Sequence, residues 1–206
     1  MPRTEEQNKE ILDKRKEEIL EAALEEFSRK GYSGTKISDI VKTAGISQGL
    51  LYHYYKSKDE LYVAVIEKST ESAMMLTQFV VQHKIQGWKA LVIMTESILE
   101  WLKQGGEGKS RFFFMQQAAM LEPMPEEVKA ALMKSMRMNE FTANLIKQGQ
   151  EEGKVVPGNP IEIATVFWSV MQGIIMNNVV MENIGLKEEI VIPEAEVILR
   201  TIRKFG

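Results

Sequence analysis

Apolar residues recur along this chain at three- and four-residue intervals and almost nowhere in two-residue alternation, a spacing that leaves helices as its regular structure. Ile19, Ala23 and Phe27 repeat at four-residue spacing beside Leu20 and Leu24, with Glu and Lys between them. No Val/Ile/Thr-rich run bounded by hairpin turns gives a strand any support. The punctuation predicts helices over 11–30, 35–43, 47–54, 57–81, 86–103, 108–121, 125–152, 160–183 and 193–204. Gly31 is placed to end the first, and Thr35 and Ser47 to cap the next two. Ser57 with Glu60 reads as a capping box. Asn159, Pro160 and Glu162 give an N-cap, an N1 proline and an N3 acid in order. The expected fold is all-α: three small helices, then a larger helical bundle.

Composition closes several functional classes. The chain has no cysteine, which removes disulfides, thiol nucleophiles and Cys-ligated zinc or iron–sulfur centres. Its only two histidines, His53 and His83, are too few for a His-rich metal site, so no metal and no cofactor is expected. Residues 1–10 lack the apolar core of a signal peptide, so the expected compartment is a reducing cytoplasm. Residues 163–181 carry no charge and approach the ~20 residues that cross a bilayer. Gln172, Asn177 and Asn178 interrupt them, and the flanks are Glu162 and Glu182 without nearby Lys or Arg, so the reading is a buried helix and no membrane. Gly108-Lys109-Ser110 ends like a phosphate-binding loop, but the position of its first glycine holds Lys103 and no strand precedes it. With no nucleophile elbow or zinc-protease motif either, an enzyme is not expected.

Charge is uneven along the chain. Between Ser28 and Lys58, six basic residues (Arg29, Lys30, Lys36, Lys42, Lys56, Lys58) face Asp39 alone, a net of +5 within a total of −3. A basic patch on an acidic chain marks a face suited to nucleic acid. The same window holds a short helix, a tight turn at Ala44-Gly45-Ile46-Ser47 and a second short helix, the pattern of a helix-turn-helix. Ala44 is small where helices cross, Gly45 permits positive φ, and Ile46 fills the space between them. Ser47 caps the second helix and leaves backbone N–H groups there to approach a phosphate.

Those residues, with Ile19-Leu20, Ala22-Ala23, Phe27, Gly31-Tyr32, Thr35, Ile37, Asp39-Ile40, Gly49, Leu51-Tyr52, Tyr54-Tyr55, Lys58 and Leu61, resemble the TetR family of bacterial transcription repressors. The resemblance covers the N-terminal third by motif and the remainder by length and helical pattern. It implies a DNA-binding domain over 1–57 and an effector-binding and dimerisation domain over 58–206. It places the helix holding Gln48, Gly49, Tyr52, His53 and Tyr54 in a major groove, with Gln48 suited to an adenine edge. Thr35, Lys36, Ser47 and Lys58 fall at backbone-contacting positions, which orient the protein without specifying sequence. Leu51 and Tyr55 read as packing residues. Arg3 and Lys9 lie in an extension that some relatives use as a minor-groove arm, although the acids around them favour a solvated helix.

For the larger domain, the resemblance implies a homodimer through helices 160–183 and 193–204. The first of these is apolar on more than one face and needs a second partner. A two-fold dimer implies a palindromic double-stranded DNA operator, with half-sites roughly 34–36 Å apart or a multiple. The middle helices are expected to house a small, largely apolar effector. Its candidate contacts are Met94, Ile98, Trp101, Phe113, Gln116, Trp168 and Gln172, in a chain whose thirteen methionines suit an adaptable pocket. The effector would move the long helix beginning near Lys58 and release DNA. The alternative is a regulator of the same family that binds DNA without a small-molecule effector.

Overall fold

The computed structural model describes the backbone of residues 5–104, 107–135 and 137–205. Side chains are described for these except at 5–11, 72–73, 107–108, 134–135, 137 and 187. Among the described residues there are ten α-helices and no strand: α1 (Glu5–Gly34), α2 (Ile37–Thr43), α3 (Gln48–Tyr54), α4 (Lys58–Gln82), α5 (Gly87–Gln104), α6 (Glu107–Ala119), α7 (Glu126–Ser135), α8 (Arg137–Glu151), α9 (Pro160–Asn183) and α10 (Ala195–Leu199). The all-α expectation holds. Arg3, and Gly105 of the expected break after α5, lie outside the described residues. So does Met136, the one residue between α7 and α8, where a single helix over 125–152 was expected.

Most helix starts follow the sequence signals. Ser47 Oγ accepts the Leu50 N–H at 3.2 Å and Asn159 Oδ1 that of Ile161 at 3.0 Å. Ser57 Oγ accepts the Glu60 N–H at 3.0 Å, while the Glu60 carboxylate reaches back one residue further than a capping box requires, to the Lys56 N–H at 2.7 Å. Two expectations need correcting. Thr35 does not cap α2: Lys36 is the N-cap, and Thr35 is buried with its hydroxyl 2.7 Å from the Gly31 carbonyl and 3.0 Å from that of Glu26. The C-terminal helix is five residues long, not twelve. Its continuation is diverted because Val156 donates to the Ile202 carbonyl and Lys204 to that of Lys154, both at 2.9 Å.

The chain forms two compact units. The first comprises Met1–Ser69 together with Phe113–Leu132. Its core gathers Ile19, Leu24 and Phe27 of α1, Ile40 of α2, Leu51 of α3, Leu61, Tyr62 and Ile66 of α4, and also Phe114, Ala118, Val128 and Ala131. Tyr62 is the hub. Its ring meets Phe27 edge-on at 4.8 Å, Tyr32 at 4.9 Å and Phe114 at 5.0 Å, separations at which edge-to-face pairs attract. The second unit comprises Thr70–Phe112 and Met133–Gly206. There α8 packs on α5 and α9, and α10 on both, around Leu91, Met94, Ile146, Phe167, Met171 and Ile198.

Phe114 is fully buried in the first core although it lies far along the sequence from the helix-turn-helix. Phe114→Ala should destabilise that unit by about 3–5 kcal/mol, read as a lower urea midpoint for the first unit.

Candidate nucleic-acid interface and effector contacts

The junction between α1 and α2 sets the geometry of the helix-turn-helix. Gly31, three residues before the end of α1, breaks its helical path with φ at +70°, a conformation open to glycine at no steric cost. Such a break strands carbonyl groups, and buried carbonyls need partners. The Thr35 hydroxyl serves that of Gly31, and Lys58 Nζ donates to those of Tyr32 at 2.8 Å and Thr35 at 3.2 Å. The same ammonium lies 4.2 Å from the Tyr32 ring centroid, and the Tyr32 hydroxyl donates to Asp59. Burial holds the Lys58 ammonium below the usual lysine range.

Beyond α2 the chain turns through a Schellman motif. The Ile46 N–H donates to Val41 O at 3.0 Å and the Gly45 N–H to Lys42 O at 3.3 Å, with Gly45 at φ +64°. Ile46 packs on the first core, as its position in the turn predicts. From there α3 divides cleanly. Leu51 is buried, as is Tyr55 just past its end, where desolvation pushes the phenol up to about 12. Gln48, Gly49, Tyr52 and His53 form the exposed face, Tyr52 being 43% exposed. Tyr54 is half-buried beside the His53 ring. Nothing lies within 4 Å of where a Cβ on Gly49 would be.

The basic window is less free than its count implies. Glu26, two residues outside it, is 4% exposed and holds Arg29 and Lys30 at 2.8 Å each, while Lys30 also bridges to Asp39 at 2.9 Å. Lys30 is the main reason the Glu26 carboxyl is held below its ordinary range. Lys36, Lys42 and Lys56 are exposed. Lys36 thus lies at the surface, whereas Thr35 and Lys58 hydrogen-bond the backbone of the α1–α2 junction.

The seven candidate effector residues divide between the units. Phe113 and Gln116, both half-buried, fall in the first, and Met94, Ile98, Trp101, Trp168 and Gln172 in the second. Met94 is in the second core, with Ile98 and Trp168 packed against it. The Trp168 indole N–H donates to Thr142 Oγ1 at 3.0 Å. Gln172 is on the exposed side of α9, not among its buried residues. Polar groups that sequence reasoning missed include the buried Asn178, whose Oδ1 has no protein partner, and the half-buried Lys109–Glu182 pair at 3.0 Å. Asn178 and Glu182 share a helix face, but on a helix apolar all round only the packed structure distinguishes Asn178 from Asn177.

Known proteins with this arrangement point one way. The model of the family described as bacterial regulatory proteins, tetR family, matches residues 19–65. The Escherichia coli HTH-type transcriptional regulator UidR is 32% identical over 145 residues, covering 68% of each chain. The chain belongs to the TetR family of bacterial transcriptional regulators. The Bacillus subtilis HTH-type regulator YfiR is 29% identical over 171 residues, 82% of each chain. The fold of this TetR-family regulator is also that of a regulator from Agrobacterium tumefaciens, with TM-score 0.75, 15% identity and coverage of 93% and 99%. Two further structural relatives were solved with small molecules. One, from Saccharomonospora viridis, holds choline (TM-score 0.72, 17% identity, 94% and 100% coverage). The other, Bacillus subtilis FadR, holds stearoyl-CoA (0.68, 14%, 89% and 95%). Proteins of this family are regulators, not enzymes.

Two outcomes follow for this TetR-family regulator. Lys58→Met keeps the aliphatic stem and leaves two carbonyls without their donor, so it should lower stability by about 1–3 kcal/mol in urea melts. Glu26, its pKa depressed on folding, contributes stability that is complete above the ordinary carboxylate range and lost as pH falls through the depressed value. The acid limb of the stability profile should therefore be shallower in Glu26→Gln.

Proposed function

We propose that this chain is a repressor that binds a palindromic operator as a homodimer and is released by a small, largely hydrophobic effector. Its DNA-binding part is the 1–57 region and its effector and dimer part is 58–206. The observation that carries the DNA-facing role of α3 is Gly49. Glycine inside a helix costs about 0.5–1 kcal/mol relative to alanine, yet no atom of the chain itself occupies the space a side chain would take. A surface that approaches from outside accounts for it. Gln48, Tyr52 and His53 flank it with side chains able to reach base edges and phosphates. Lys36, Ser47 and Tyr54 border that face. Thr35 and Lys58 support it from behind by fixing the backbone.

The dimer reading rests on α9. Ala164, Phe167, Met171 and Ile175 are buried, while Ile161, Val166 and Val180 of the same helix are exposed, as are Val197 of α10 and Ile184. An apolar helix with one face left open is what an isologous interface would cover. The effector reading draws on the apolar residues Met94, Ile98, Trp101 and Trp168, with Phe113, Gln116 and Gln172 as further candidates. Structural relatives crystallised with choline or stearoyl-CoA support an effector as a class. Its binding would act through α4, and effector and operator would oppose each other by a typical 1–3 kcal/mol. Such a regulator works on DNA in the cytoplasm.

Selection of duplexes from a random pool by the purified protein tests the reading, and an enriched inverted repeat is the expected result. Failure to enrich any sequence would overturn it. On the enriched duplex, Gly49→Ala should bind at least tenfold more weakly while the protein melts at the same or a higher temperature. An equal or tighter complex would remove α3 from the interface.

A further inference from the structure

Four side chains join the last turns of α1 to both ends of α2. Along α1, Glu26 Oε2 meets Lys30 Nζ at 2.8 Å. Between the helices, Lys30 Nζ meets Asp39 Oδ2 at 2.9 Å, and the Thr43 hydroxyl donates to Glu26 Oε1 at 2.9 Å. Asp39 and Thr43 are one turn apart on α2, as Glu26 and Lys30 are on α1, so the four form a ladder with a rung at each end of α2. The Asp39 carboxylate also accepts the Lys36 N–H at 3.3 Å, which ties the ladder to the N-cap of α2. Arg29 closes the group with both Glu26 oxygens at 2.8 Å.

The ladder has two effects. It fixes α2 against α1, and α3 is joined to α2 by a turn closed with its own hydrogen bonds. It also occupies two cations of the basic window, Arg29 and Lys30, beside the helix that carries Lys36. A cation paired with a nearly buried carboxylate offers phosphate less of its charge, and phosphate contacts supply affinity that is blind to sequence.

We propose that Glu26 is a positioning residue for DNA specificity: its carboxylate withholds Arg29 and Lys30 from phosphate while locking α2, and so keeps sequence-blind binding low relative to operator binding. The inference rests on the reading of α3 as the DNA-facing helix.

The test compares the unmodified protein with Glu26→Gln on two duplexes, the one enriched by the unmodified protein and a random-sequence duplex of equal length, over a salt series. Glu26→Gln frees Arg29 and leaves Lys30 held by Asp39 alone. The salt slope on random DNA should steepen by up to about two phosphate equivalents, at ~0.9 each on a log–log plot. Random-duplex affinity should rise several-fold, and the ratio of enriched to random affinity should fall at least tenfold. The double variant Glu26→Gln/Lys30→Gln, which removes both partners of one pair and guards against misfolding of the single variant, should still steepen by about one equivalent, from Arg29 alone. A merely structural role would lower both affinities alike and leave the slope unchanged; that result, or an unchanged affinity ratio, overturns the proposal. If the unmodified protein enriches no duplex, the reading of α3 fails first, and the random-duplex slope still decides whether Glu26 withholds the two cations.

Discussion

The helix-turn-helix depends on a half-buried ammonium group. The break at Gly31 interrupts α1 ahead of α2, and the carbonyls of Tyr32 and Thr35 beyond it take a side-chain donor. Lys58, at the first position of α4, donates to both and rests on the Tyr32 ring. Buried carbonyls without donors are costly, and a charged donor makes a stronger hydrogen bond than a neutral one. One side chain therefore joins the end of α1, the start of α2 and the start of α4. The aromatic cluster around Tyr62 then fills the space those three elements enclose.

The second unit is organised around a helix with no single apolar face. One side of α9 packs into the core, while other apolar residues stay open to solvent in the isolated chain. This helix is long and apolar enough to cross a membrane by length and composition. Burial of part of it against α8 and α10, and membership of a family of DNA-binding regulators, give that composition a different meaning. Apolarity all round records surfaces that need covering, and says nothing of what covers them.

Local signals were legible in the sequence, and signals that depend on distant packing were not. Ser47, Asn159 and Ser57 cap helices as their positions predict, because a cap involves only the next three residues. Thr35 reads equally well as a cap, but its hydroxyl is taken by carbonyls of α1, which local sequence cannot anticipate. Lys58 reads as a phosphate ligand for the same reason: the carbonyls that hold it are more than twenty residues away. The basic window overstates the free charge because Glu26 falls just outside it and is brought to Arg29 and Lys30 by one turn of helix. Burial of Asn178 and exposure of Asn177 are adjacent choices on a helix whose periodicity is too weak to decide between them.

The core of the first unit also imposes an order of synthesis. Its α1, α2 and α3 are complete by residue 54 and its share of α4 by residue 69, but Phe114, Ala118, Val128 and Ala131 follow only as the chain reaches residue 132. At roughly 5–20 residues per second on the ribosome, the helix-turn-helix waits about 3–13 s with one side of its core uncovered. During that interval the nascent chain presents Phe27 and Tyr62 to whatever apolar surface is nearby. This helix-turn-helix is thus written first and finished late.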